Sequence, residues 1–114
     1  MSLQHVFTIM QTRGFISDIP DEVKANVLEF GLKNINKSTD FLVFKPEEVE
    51  THKEDEGRTL VTHIQGLPKK VYAKLDDFGE PSQWDEIYDK ETADDLKKSG
   101  VAQYVITFML AEEY

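Results

Sequence analysis

Ten residues near the end of the chain, VAQYVITFML at 101–110, carry apolar side chains on both alternating sets. Ala102, Tyr104, Ile106, Phe108 and Leu110 fall on one side of an extended strand, and Val101, Gln103, Val105, Thr107 and Met109 on the other. A strand that is largely apolar on both sides belongs in the middle of a sheet, with other elements packed over each face. That demand selects a layered fold and requires apolar material elsewhere to build the layers. The 114 residues are 39% hydrophobic and 11% aromatic, which suits one ordinary core. Two cores would need about 50 residues each, and no linker-like stretch divides the chain. The expectation is a single domain, residues 1–114.

The layer over the sheet is legible at residues 20–36. Pro20 suits a first helical turn, where its missing N–H costs nothing, and Asp21 and Glu22 complement the helix dipole. Val23, Val27, Leu28, Gly31, Leu32 and Ile35 recur on one face of a helix, with Lys24, Glu29 and Lys33 opposite. Before it, HVFTIMQ (5–11) reads as a first strand, and Gly14 in Thr12-Arg13-Gly14-Phe15 suits a bend or a positive φ.

Residues 39–44 read as a second strand, with Pro46 stopping it or placing it at an edge. The charged stretch 47–58 reads as a solvated connection, a long hairpin loop with frayed strand ends. TLVTHIQ (59–65) is a strand, and in KKVYAKL (69–75) Val71, Ala73 and Leu75 face one side while Lys70, Tyr72 and Lys74 face the other. Short helices are expected near 82–88 and from Thr92 to a stop at Gly100. The expected fold class is α+β: a mostly antiparallel sheet of about five strands, one long amphipathic helix on one face, and one or two short helices before the last strand.

The formal net charge is −9. An acidic surface disfavours direct binding to nucleic acid and to anionic membranes, both of which select basic proteins. It is compatible with an acidic mimic that blocks a nucleic-acid-binding protein. There is no cysteine, which removes disulfides, thiolate metal sites and a thiol nucleophile. No apolar run approaches the roughly 20 residues of a membrane span, and the first residues show no secretory signal. The expected location is cytoplasmic.

Candidate chemistry is sparse. No phosphate-binding glycine loop, nucleophile elbow or paired-histidine metal motif occurs. His52 lies among Glu48, Glu50, Glu54 and Glu56, a set with no metal-ligand spacing, and neither a metal nor a cofactor is expected. His63 and Gln65 alternate on one strand face, as a polar surface site or a cross-strand pair. Lys70, Tyr72 and Lys74 share a face that suits single-stranded nucleic acid or an acidic peptide, or that guards an edge strand. Arg13 beside Gly14 can reach a carboxylate or phosphate, or pin the acidic C-terminal segment.

Thr12-Arg13-Gly14-Phe15, Ile19-Pro20, Asp40-Phe41-Leu42 with Phe44, Thr62-His63-Ile64-Gln65 with Pro68, and the ending Ala111-Glu112-Glu113-Tyr114 occur in that order. Together they resemble domain-of-unknown-function family 960, small proteins of low-GC Gram-positive bacteria. The resemblance implies a compact α+β cytoplasmic protein and carries no assigned activity. The stretch 76–100 departs from it in being longer and more acidic.

The function expected from these features is non-enzymatic: a module that binds another protein through its sheet or its acidic face. The aromatics Phe41, Phe44, Tyr72, Trp84, Tyr88 and Tyr104 exceed what a small core readily hides. The alternatives are the nucleic-acid mimic and a small-ligand or enzymatic site that joins Arg13 to His63. A homodimer through an exposed edge strand is open.

Overall fold

The computed structural model describes residues 7–114. The strands are β1 (Phe7–Gln11), β2 (Phe41–Lys45), β3 (His52–Glu54), β4 (Thr59–His63), β5 (Val71–Asp77) and β6 (Tyr104–Leu110). The helices are α1 (Arg13–Asp18), α2 (Asp21–Asn34), α3 (Trp84–Ile87) and α4 (Lys90–Ser99). His5 and Val6 of the expected first strand lie outside the described residues.

The six strands form one mixed sheet in the order β1-β6-β5-β2-β4-β3. β5 pairs antiparallel with β6 and β2, and β3 with β4. β1 with β6 and β2 with β4 are parallel. The α+β class stands, and the sheet is less antiparallel and one strand larger than expected. The added strand, β3, comes from the segment read as a hairpin loop with frayed strand ends; the strands it joins, β2 and β4, run parallel, so the hairpin is instead between β3 and β4. The three residues of β3 are all exposed, so no hydrophobic alternation marked it. β2 and β5 are both internal. Pro46 therefore ends β2 without putting it at an edge, and Lys70 just before β5 and Lys74 within it guard no edge.

β6 sits between β1 and β5, and six of its seven residues are buried. Ile106, Phe108 and Leu110 align with Leu75, Ala73 and Val71 on β5, and Leu42 and Phe44 of β2 continue the row. This face carries the main core, under α1 and α2. Phe15 of α1 stacks on Phe108 with centroids 5.8 Å apart, and Phe30 of α2 meets Phe44 edge-on at 5.9 Å. α2 approaches so closely at Gly31 that a Cβ there would lie 2.6 Å from the Phe108 ring. Val105 and Met109 on the opposite face are buried as well; with Val61, Trp84 and Ala93 they stand outside the main cluster.

The expected bend at 12–15 is instead the start of α1. Thr12 is its N-cap, and the side-chain oxygen accepts from the Phe15 N–H at 3.4 Å. Gly14 lies within the helix rather than at a positive φ. Its small size has another cause: a Cβ there would come 2.8 Å from the Glu113 carboxylate. α4 ends at Gly100 as expected, and its N-cap position is Asp89 rather than Thr92. No helix among the described residues is long and apolar enough to cross a membrane.

Candidate functional site

α1 and α2 cover one face of the sheet, so the side chains of opposite alternation on β2 and β5 point away from them. Phe41 and Val43 align with Lys74 and Tyr72 across the β2–β5 pair. The Phe41 and Tyr72 rings lie 5.0 Å apart, within the range of a favourable aromatic pair. A third ring joins them from the far end of the chain. Tyr114 meets Phe41 at 5.6 Å and Tyr72 at 5.5 Å, nearly perpendicular to both. Tyr114 remains 74% exposed, so this trio is an outward-facing surface rather than core.

The position of Tyr114 follows from the residues before it. After β6 the chain makes a single 3-10 turn, Ala111–Glu113, and Ala111 N–H donates to the Lys70 carbonyl at 2.9 Å. The Glu113 carboxylate accepts from the Thr12 hydroxyl, from Gly14 N–H at 3.0 Å and from Leu110 N–H at 2.9 Å. The Thr12 hydroxyl, ahead of the two backbone N–H groups, holds this carboxyl below its usual range; burial opposes it. Glu112 reaches Lys69 at 3.0 Å, and Lys69 also grips Asp18 at 3.0 Å. The Asp18 carboxylate, then that of Glu112, raises the Lys69 ammonium pKa. Both faces of the fold meet in this tail: Glu113 locks to the start of α1, and Tyr114 lies on the outer sheet face.

An open groove of about 370 Å³ runs beside the trio, lined in part by Asp40, Phe41, Asp55, Arg58, Lys74 and Tyr114. Its charges are mixed. Arg58 reaches Asp40 at 3.6 Å, and Lys74 reaches Asp76 at 3.1 Å. Asp55 and Glu56, in the turn from β3 to β4, both have positive φ, at 51° and 56°.

The residues singled out from sequence distribute as follows. Tyr72, Lys74 and His63 share the outer face, as the β5–β2–β4 register requires. Lys70 is exposed just before β5, and Gln65 is exposed beyond β4. No basic stripe results, because Lys74 is paired with Asp76 and Tyr72 is packed between two rings. His63 Nδ1 bonds the Lys45 carbonyl at 3.1 Å, a cross-strand role. Arg13 opens α1 just after β1, four strand steps from the β4 that carries His63. At about 4.8 Å per step that is roughly 19 Å, so the two do not form one cleft. The C-terminal segment is pinned by Thr12 and Gly14, neighbours of Arg13, because backbone N–H and hydroxyl groups at a helix start point at the carboxylate. His52 bonds the Glu50 carbonyl and the Glu54 carboxylate, each at 2.8 Å, and these partners raise its pKa in that order. Among the described residues no group of three or more His, Asp or Glu side chains is disposed to hold a metal ion.

Phe44, Trp84 and Tyr104 are buried, which leaves Phe41 and Tyr72 as the outward-facing members of the strand aromatics. Tyr114, the third ring of the trio, is marked in the sequence only as the end of the Ala111-Glu112-Glu113-Tyr114 motif, with no site role attached. Its partners are 73 and 42 positions away (114 − 41 and 114 − 72), and no local periodicity reaches that far. In comparisons with known proteins, no family model, no curated protein and no solved structure matches the chain.

Proposed function

We propose that the chain is a cytoplasmic protein-interaction module whose contact surface is the outer face of the sheet around Phe41, Tyr72 and Tyr114. The observation that carries this reading is the trio itself: three touching rings on the face opposite α1 and α2, Phe41 and Tyr72 half-buried and the outermost, Tyr114, 74% exposed. Exposed aromatics that are rigidly positioned make large contact area at low entropic cost, which is the composition of interface hot spots. The groove beside them offers both signs of charge for a polar rim.

We also propose membership of domain-of-unknown-function family 960. Support comes from two of the motifs behind that resemblance, Thr12-Arg13-Gly14 and Ala111-Glu112-Glu113-Tyr114, which meet in space through Glu113.

The test is capture of partners from a low-GC Gram-positive lysate with tagged wild type and with Tyr114→Ala and Tyr72→Ala, after nuclease treatment. A protein retained stoichiometrically by wild type, and reduced at least tenfold by either substitution but not by Lys33→Ala on α2, is the expected result. Retention that ignores the trio would overturn the assignment of this face.

A further inference from the structure

We infer that β1 is a self-pairing edge and that two copies of this chain join antiparallel through it into one continuous sheet. The two edges of the sheet are chemically unlike. β3 has three residues, His52-Lys53-Glu54, all exposed and all polar or charged. A second β3 brought antiparallel about its centre would set Lys53 against Lys53. Short, charged strands of this kind are how proteins keep an edge unpaired. β1 has five residues, Phe-Thr-Ile-Met-Gln, with no charge, proline or glycine. Among the described residues its single strand neighbour is β6.

The backbone direction of β1 suits this pairing. Thr12 N–H donates to the Phe108 carbonyl at 3.0 Å, so residue 12 faces β6. By alternation Thr8 and Met10 face β6 too, and Phe7, Ile9 and Gln11 turn their N–H and C=O groups outward. A two-fold axis at Ile9 then sets Ile9 against Ile9 of the second copy as a hydrogen-bonded pair, with Phe7 against Gln11 on either side. Ile9 is 41% and Met10 47% exposed, on opposite faces, and both gain neighbours: Ile9 its own copy, Met10 Thr8 of the other strand.

The second copy is the occupant this edge fits, because the uncharged β1 is complementary to itself about Ile9; the −9 of each chain opposes the pairing over the rest of the surface, so association strengthens as salt screens it. An isologous pair closes on itself, whereas β1 on β3 would propagate without end. One short strand pair buries less than the roughly 1,200 Å² of a standard interface, so the dimer is weak and concentration-dependent.

The experiment is sedimentation equilibrium of the full chain from about 10 μM to about 1 mM in moderate salt, a range that brackets weak association. The variants are Ile9→Lys, which opposes two lysines across the axis, and Ile9→Pro, which removes an outward N–H and spares the β6 ladder. Lys53→Ala on β3 is the control. The expected result is a monomer–dimer equilibrium in wild type and Lys53→Ala, with a dissociation constant at least tenfold weaker in both Ile9 variants. Wild type that stays monomeric to the top of the range, or a dimer that Ile9→Lys leaves intact, overturns the inference; a monomer that instead captures another protein's strand does so too. Amide exchange on wild type supplies a readout independent of variant folding: protection of Ile9 and Gln11 must rise with protein concentration, and protection that does not change refutes the pairing.

Discussion

A methyl group is enough to test how tightly the helix layer sits on the sheet. A Cβ on Gly31 would lie 2.6 Å from a Phe108 ring that is itself fully buried. Gly31→Ala gains up to about 1 kcal/mol in helix propensity, and the overpacking costs roughly 1–3 kcal/mol. The expected net effect is a loss of stability, read as a lower urea midpoint at unchanged slope. The opposite sign is expected at Glu56, which holds a left-handed φ of 56° in the β3–β4 turn and is exposed. That conformation costs an L-residue about 1–2 kcal/mol, against about 0.5–1 kcal/mol for the added chain entropy of glycine. Glu56→Gly should therefore raise the denaturation midpoint slightly. Neither effect is visible in the local sequence. Gly31 reads as a gap in an apolar stripe, and the reason for it is a ring 77 positions away (108 − 31).

At the scale of elements, the C-terminal turn is the joint on which the outer face depends. Glu113 is accepted by the start of α1 only as a carboxylate, since Thr12, Gly14 and Leu110 all donate to it. Its pKa is lowered in the folded protein, so its stabilisation is present above the unfolded value and is lost as pH falls through the folded one. Thermal melts of wild type and Glu113→Gln should differ at neutral pH and converge in acid. A difference that persists unchanged at the acid end would mean that shape rather than charge holds the turn. The same substitution is expected to loosen Tyr114, read as weaker ring–ring NMR cross-peaks from Tyr114 to Phe41 and Tyr72. α2 was legible from its 3.6-residue period, and β4, β5 and β6 from alternation, because each repeats a pattern within its own length. α1 and β3 were not. α1 is six residues with one buried side chain, and β3 has none.

For the whole molecule, charge outweighs the ion pairs. The chain carries −9, and the ion pairs among the described residues each have at least one solvent-exposed partner, as Lys24–Asp21, Lys33–Glu29 and Lys74–Asp76 do. Exposed pairs contribute little, whereas net repulsion acts over the whole surface and is screened by salt. Raising sodium chloride from about 20 to about 200 mM should therefore raise Tm, by roughly 2–4 °C for about 0.5 kcal/mol in a domain of this size. A fall in Tm would show that the pairs outweigh the repulsion.

What the sequence determined by itself is whatever repeats locally. The doubly apolar β6 had to be central, and it lies between β1 and β5 with both faces buried. The apolar stripe of α2 had to cover a sheet, which it does through Val27 and Gly31 with Leu32 left exposed, and the alternation of β5 had to divide Val71, Ala73 and Leu75 from Tyr72 and Lys74. What only the tertiary structure decided is which distant segments meet. The parallel pairing of β1 with β6 and of β2 with β4, the seat of Glu113 on α1 and the trio of Phe41, Tyr72 and Tyr114 all join residues far apart in the chain. Local pattern specifies which face of an element is apolar, but not which partner covers it. That choice is made by the packing energy of the assembled layers, where shape at contacts such as Gly31 against Phe108 admits one arrangement.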